Sequence, residues 1–223
     1  SLIAAACKRS QNGAERINGK SLPALLFQRE AAPPLEKTGP GEISNEMNPE
    51  QSMQPCDVED LRRMAETFVA DEPARLGAEG WWRPPLLATA PVDERFEMLP
   101  KIAADDHLHP RDLLPTARSV IVFYVPFRKD LVRRNRKGAL PCRDWGLAYV
   151  QTNDLIDRLS RHLQDRLAEH GFRCGLTPAT HNFDEARLMA RWSHKHLGHL
   201  VGLGRFGTHC LLITPAGCTG RLG

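Results

Sequence analysis

The sequence predicts an α+β fold, built of mixed helix and strand layers. Three observations carry that expectation. Val120-Ile-Val-Phe-Tyr-Val125 is an unbroken apolar run of strand length between Ser119 and Pro126. Leu155, Ile156, Leu159, Leu163 and Leu167 recur at helical spacing with charges between them. Helical and strand-like segments then alternate along the chain, which favours layered packing. A strand without polar alternation is one covered on both faces, so 120–125 is expected at the sheet centre.

Taken in order, residues 1–55 carry prolines at 23, 33, 34, 40, 49 and 55, with only Leu22 to Phe27 as a small apolar patch. Such a segment buries too little surface to offset its ordering entropy. It is expected to be a disordered tail or an upstream extension, with the folded domain spanning 56–223. Asp57 is a candidate N-cap, followed by Val58, Leu61, Met64, Ala65 and Phe68 at helical spacing. Gly80-Trp-Trp-Arg-Pro-Pro85 reads as irregular, and a loop is expected through Pro110. After the central strand, a helix is expected from about Asn153 to His170, closed by Gly171 at C′. Phe172 to Leu176 reads as a short strand, Glu185 to His199 as a helix, and Cys210 to Thr214 as a strand.

Composition limits the class of protein. The chain has 223 residues, is 41% hydrophobic and 26% charged, and contains no apolar stretch near the ~20 residues of a membrane span, so a soluble domain with its own core is expected. Cys7, Cys56, Cys142, Cys174, Cys210 and Cys218 are scattered with no C-x-x-C pair, which argues against a locally built metal site and favours reduced thiols in a cytoplasm. Leu2 to Cys7 is too short and wrongly flanked for a signal segment.

The chemistry-bearing residues concentrate near the C-terminal end. Gly202, Gly204 and Gly207 spell G-x-G-x-x-G, but a dinucleotide site needs a strand before and a helix after, and here the order is reversed. What remains is a backbone free to take positive φ and to lie close against something flat; the plainer alternative is a helix C-cap turning into a strand. His196 and His199 share a helix face near His209, yet no third and fourth ligand at suitable spacing completes a zinc site, so no metal is expected there. Arg128, Lys129, Arg133, Arg134, Arg136 and Lys137 face one acid, Asp130. Such a run is either a solvated face or a loop in which Arg133, Arg134, Arg136 and Lys137 would touch a nucleic-acid backbone. Trp81 and Trp82 either stack on a ligand ring or anchor their Pro-rich loop.

Three blocks together carry a resemblance. The Gly202-Leu-Gly-Arg-Phe-Gly207 turn, the entry Leu114-Pro-Thr-Ala-Arg-Ser-Val-Ile121, and Trp145-Gly-Leu-Ala-Tyr149 with Asn153 are similar in order and spacing to the epoxyqueuosine reductase family, cobalamin- and iron-sulfur-dependent enzymes of tRNA queuosine modification. The resemblance covers about 57–223. It implies a nitroreductase-like, corrinoid-binding reductase domain in which His194, His199, Gly202, Gly204, Phe206, Gly207 and Thr208 form the cobalamin wall. The family's aspartate general acid falls near Leu188 by counting back from Gly202; Leu cannot donate a proton, and Asp184 is the nearest candidate. The closing Gly-Lys-Asn of the family is here Gly207-Thr208-His209. The two 4Fe-4S clusters that feed electrons to cobalt belong to a ferredoxin-like module after Gly223, so an iron-sulfur donor is expected in cis or in trans. The resemblance therefore implies the catalytic part of an oxidoreductase. The alternatives are a non-catalytic corrinoid- or tRNA-binding remnant, or a flavin-using nitroreductase-like enzyme.

Overall fold

Strand β3 (Ser119–Pro126) organises the structure, a computed structural model that describes residues 25–29, 57–76, 80–177, 183–184, 186–187 and 189–223. Its side chains alternate between two cores. Ile121, Phe123 and Val125 face one hydrophobic cluster, and Val120, Val122 and Tyr124 face another on the opposite side. The expected double coverage is found, although every pairing in this sheet is antiparallel. β3 pairs with β2 (Leu86–Pro91) along one edge, and with β1 (Leu25–Arg29) and β9 (Gly220–Leu222) along the other, while β4 (Phe172–Leu176) lies beyond β1. Leu25–Arg29, inside the segment expected to stay outside the fold, is thus part of the central sheet; the rest of 1–55 lies outside the described residues.

The first face is covered by α1 (Val58–Leu76) and by a 27-residue helix, here α5 (Arg143–Glu169). Asp57 caps α1 by accepting from the Asp60 amide at 2.7 Å, while the Asp57 amide donates back to the Asp60 carboxylate at 3.4 Å. α5 presents Ala148, Thr152, Leu155, Ile156, Leu159 and Leu163 to the sheet and begins ten residues before the expected start. Gly171 closes it at φ +74, in the left-handed region that glycine tolerates. Glu72, buried on α1, joins the two helices by accepting from Arg158 Nη2 at 2.6 Å and Arg75 Nε at 3.0 Å.

The second face holds α2 (Leu99–Ile102), α3 (Pro110–Leu113) and α6 (His194–Leu200), with Phe96, Leu99, Trp192 and Leu197 buried beneath them. The remaining short helix, α4 (Lys129–Asn135), follows β3. Two expectations are corrected here. The loop assigned through Pro110 contains β2, whose six residues, ending in a proline, alternate too weakly to signal a strand. The helix expected over 185–199 begins only at His194, preceded by the short hairpin of β5 (Phe183–Asp184) and β6 (Met189–Ala190). Asp184 accepts from the Ala186 and Arg187 amides at 2.8 and 3.0 Å, holding a turn in place of a helical start. Arg187 reaches back to Asp105 at 2.6 Å. The Trp pair takes its anchoring role: both indoles donate to α5, Trp81 to Gln151 and Trp82 to Thr152 Oγ1, the latter at 2.7 Å.

Candidate functional site

The glycine turn is first a fold element. α6 ends in a Schellman arrangement, with the Leu203 amide donating to Gly198 O at 2.8 Å and the Gly202 amide to His199 O at 3.0 Å. Gly202 sits at φ +80 with open space where a Cβ would project. Gly204 is needed for another reason, since a Cβ there would lie 2.5 Å from Ile213 O in the hairpin formed by β7 (Arg205–Phe206) and β8 (Leu212–Ile213). The plain alternative, a C-cap turning into a strand, therefore describes the local structure. β8 is shorter than the expected 210–214 strand because Thr208 to Cys210 make a three-residue hairpin loop, closed by Cys210 N–H to Gly207 O at 3.0 Å with Cys210 at φ +60.

The outer side of this turn nonetheless bounds an open groove of about 880 Å³. It is also lined by the outer edge of β2 at Thr89, Ala90 and Pro91 and by Arg95 and Arg205, with no Asp or Glu among its described lining residues. Arg95 is held by Asp93 at 2.8 Å and donates to Leu200 O at 3.2 Å, closing the helix C-terminus. His199, Gly202, Gly204 and Phe206 line this groove as the sequence suggested. His199 Nδ1 lies 3.1 Å from Gly204 O, and a carbonyl only accepts, so Nδ1 carries the proton and Nε2 is the basic nitrogen. Thr89 to Pro91 and Arg95 escaped the sequence reading. Their segment bears no motif, and only the sheet brings it beside the turn.

The other expected site residues separate. His194 is buried under α6, and no described residue hydrogen-bonds its Nε2; burial, then Arg221 and His107, push its imidazole down to about 4, so it is neutral and cannot touch a ligand in the groove. Gly207 lines a second, smaller groove, and Thr208 is exposed at the hairpin tip. Asp184 is exposed, and the backbone amides of Arg187 and Ala186 hold its carboxyl below the usual range. A carboxylate held low by its own turn is a poor proton donor near neutrality. In the basic segment Arg133, Arg134, Arg136 and Lys137 are all exposed, and Arg134 pairs with Asp144 at 3.0 Å and with Asp130 at 3.8 Å. Among the described residues, no group of three His, Cys, Asp or Glu side chains is placed to hold a metal ion, and no helix is long and apolar enough to cross a membrane. Compared with protein families, curated proteins and solved structures, the chain matches none.

Proposed function

We propose that the groove beside the glycine turn is the ring-binding surface of a corrinoid-dependent reductase of the epoxyqueuosine reductase type. One observation carries the reading: a main-chain shelf at Gly202 to Gly204, with open space above Gly202, faces a broad groove whose described lining residues include no carboxylate. His199, Gly202, Gly204 and Phe206 would hold the ring, and a bound corrinoid would supply a low-valent cobalt as reductant. His199 takes the proton-handling role once given to Asp184, because its Nδ1–H is fixed on Gly204 O and leaves Nε2 to exchange a proton with substrate. The electron supply is assigned to an iron-sulfur donor in cis or in trans, and Arg133, Arg136 and Lys137 to the tRNA backbone.

The test is absorbance titration with cob(II)alamin, repeated on Gly202→Phe, whose side chain would fill the open space above the turn. Saturable change in the native protein, and its loss in the variant, is the expected result. No spectral response to cobalamin overturns the reading. A response to FMN alone would move the groove to the flavin alternative, which Arg205 favours through its attraction for a phosphate.

A further inference from the structure

Across Phe206 lies a second groove of about 480 Å³, between Ile102 at the end of α2, the Lys195–His199 face of α6 and the hairpin at Gly207 and Cys210. Its one ammonium, Lys195, lines it together with His196 and His199, and no Asp or Glu is among its described lining residues. Among the described residues, Lys195 Nζ donates only to a neutral acceptor, Cys210 O at 3.2 Å. The groove between the two long helices, α1 and α5, differs: there Arg63 pairs with Asp60 and Arg166 with Glu169. The second groove also presents flat apolar surface: the Phe206 ring stands 4.8 Å from His196 and 5.7 Å from His199, and Ile102 is 45% exposed. A ring can stack there while its charged substituent meets the cation and the imidazoles.

We infer that this second groove binds a small aromatic ligand carrying a phosphate or carboxylate, with its ring on Phe206 and Ile102 and its anionic group at Lys195, beside His196 and His199. Neither half of such a ligand suffices. A bare oxyanion forgoes the apolar floor, and a neutral ring leaves the Lys195 ammonium unanswered. His196 supplies an internal reporter. Burial, then His107 and Lys195, hold its imidazole below the usual range, and a bound anion reverses that tendency. The two grooves share His199 and Phe206, but Lys195 and Cys210 line only this one and Gly202 and Arg205 only the other, so the two readings are tested apart.

Calorimetric titration with phenyl phosphate, inorganic phosphate and benzyl alcohol tests the inference. Phenyl phosphate should bind saturably, with the other two at least about tenfold weaker, because each lacks one of the two contacts. Lys195→Glu should weaken phenyl phosphate by about tenfold or more through like-charge repulsion, Lys195→Gln by less, and Arg205→Gln should leave it unchanged. Ring-proton NMR should show the His196 titration moving to higher pH in the complex. Equal binding of inorganic phosphate, equal binding of benzyl alcohol, or an undiminished affinity in Lys195→Glu would each overturn the site. None of these results bears on cobalamin titration, so the two proposals fail separately.

Discussion

Acidification should loosen the α6 face of the sheet through His194. The imidazole is buried without a hydrogen-bond partner for Nε2 among the described residues, and burial, Arg221 and His107 together lower it to about 4 from an ordinary 6.5. In the unfolded chain it titrates normally, so between those two values the unfolded state binds the extra proton. The contribution is full above about pH 6.5 and is lost progressively as pH falls toward about 4. A difference of about 2.5 units is worth about 3 kcal/mol in all, of which about 2 kcal/mol is gone by about pH 5. Urea unfolding followed by circular dichroism, at about pH 7 and about pH 5, on the native protein and on His194→Phe isolates this part, because the carboxylates and His107 are common to both. The native protein should lose about 2 kcal/mol more than the variant over that interval. Should His194→Phe fold poorly, His194→Gln serves the same comparison without a titrating group. Equal pH dependence in native and variant proteins would refute the reasoning.

Three further outcomes follow from the described contacts. Glu72→Gln removes the charge that Arg158 and Arg75 share between α1 and α5, and should cost about 2 kcal/mol in urea unfolding, a figure reduced from that of a fully buried pair because both arginines are partly exposed. The arginines hold the Glu72 carboxyl below its ordinary value against the opposing effect of burial, so its contribution is present above about pH 4.5 and fades below it. Gly204→Ala should destabilise by about 2 kcal/mol or more, since its Cβ would press on Ile213 O, whereas Gly202→Ala should cost about 1 kcal/mol for positive φ alone; thermal melting of the two variants compares them. Arg133→Glu combined with Arg136→Glu should weaken tRNA binding and lower its logarithmic salt slope by about 2, and an unchanged slope would remove the nucleic-acid assignment.

The parts of the fold that could be read from the chain are those governed by short-range periodicity. Val120 to Val125 had the composition of a doubly covered strand, Leu155 to Leu167 the spacing of a packed helix, and Asp57 and Gly171 marked ends through their own backbone chemistry. β2 and β9 were not legible, because each is fixed by pairing with β3, a contact between residues far apart in the chain. The 185–199 segment misled for a similar reason. Its apolar and charged residues fit a helix, but Asp184 caps a local turn and Arg187 is drawn to Asp105. The candidate site divides along the same line. The glycine turn announced itself, while Thr89 to Pro91 and Arg95, which line the same groove, reached it only through the sheet. His194 looked equivalent to His199, and only the packing of α6 turns one inward and leaves the other exposed.

Because one strand presents alternate side chains to both interiors, β3 works as a party wall between two rooms. Neither room can be cleared while the wall stands, and neither survives its removal, so hydrogen exchange at Val122 and Phe123 should report a single opening event shared by both sides. A ligand that tightens the groove side would then slow exchange on the α1–α5 side as well, through the plank they hold in common.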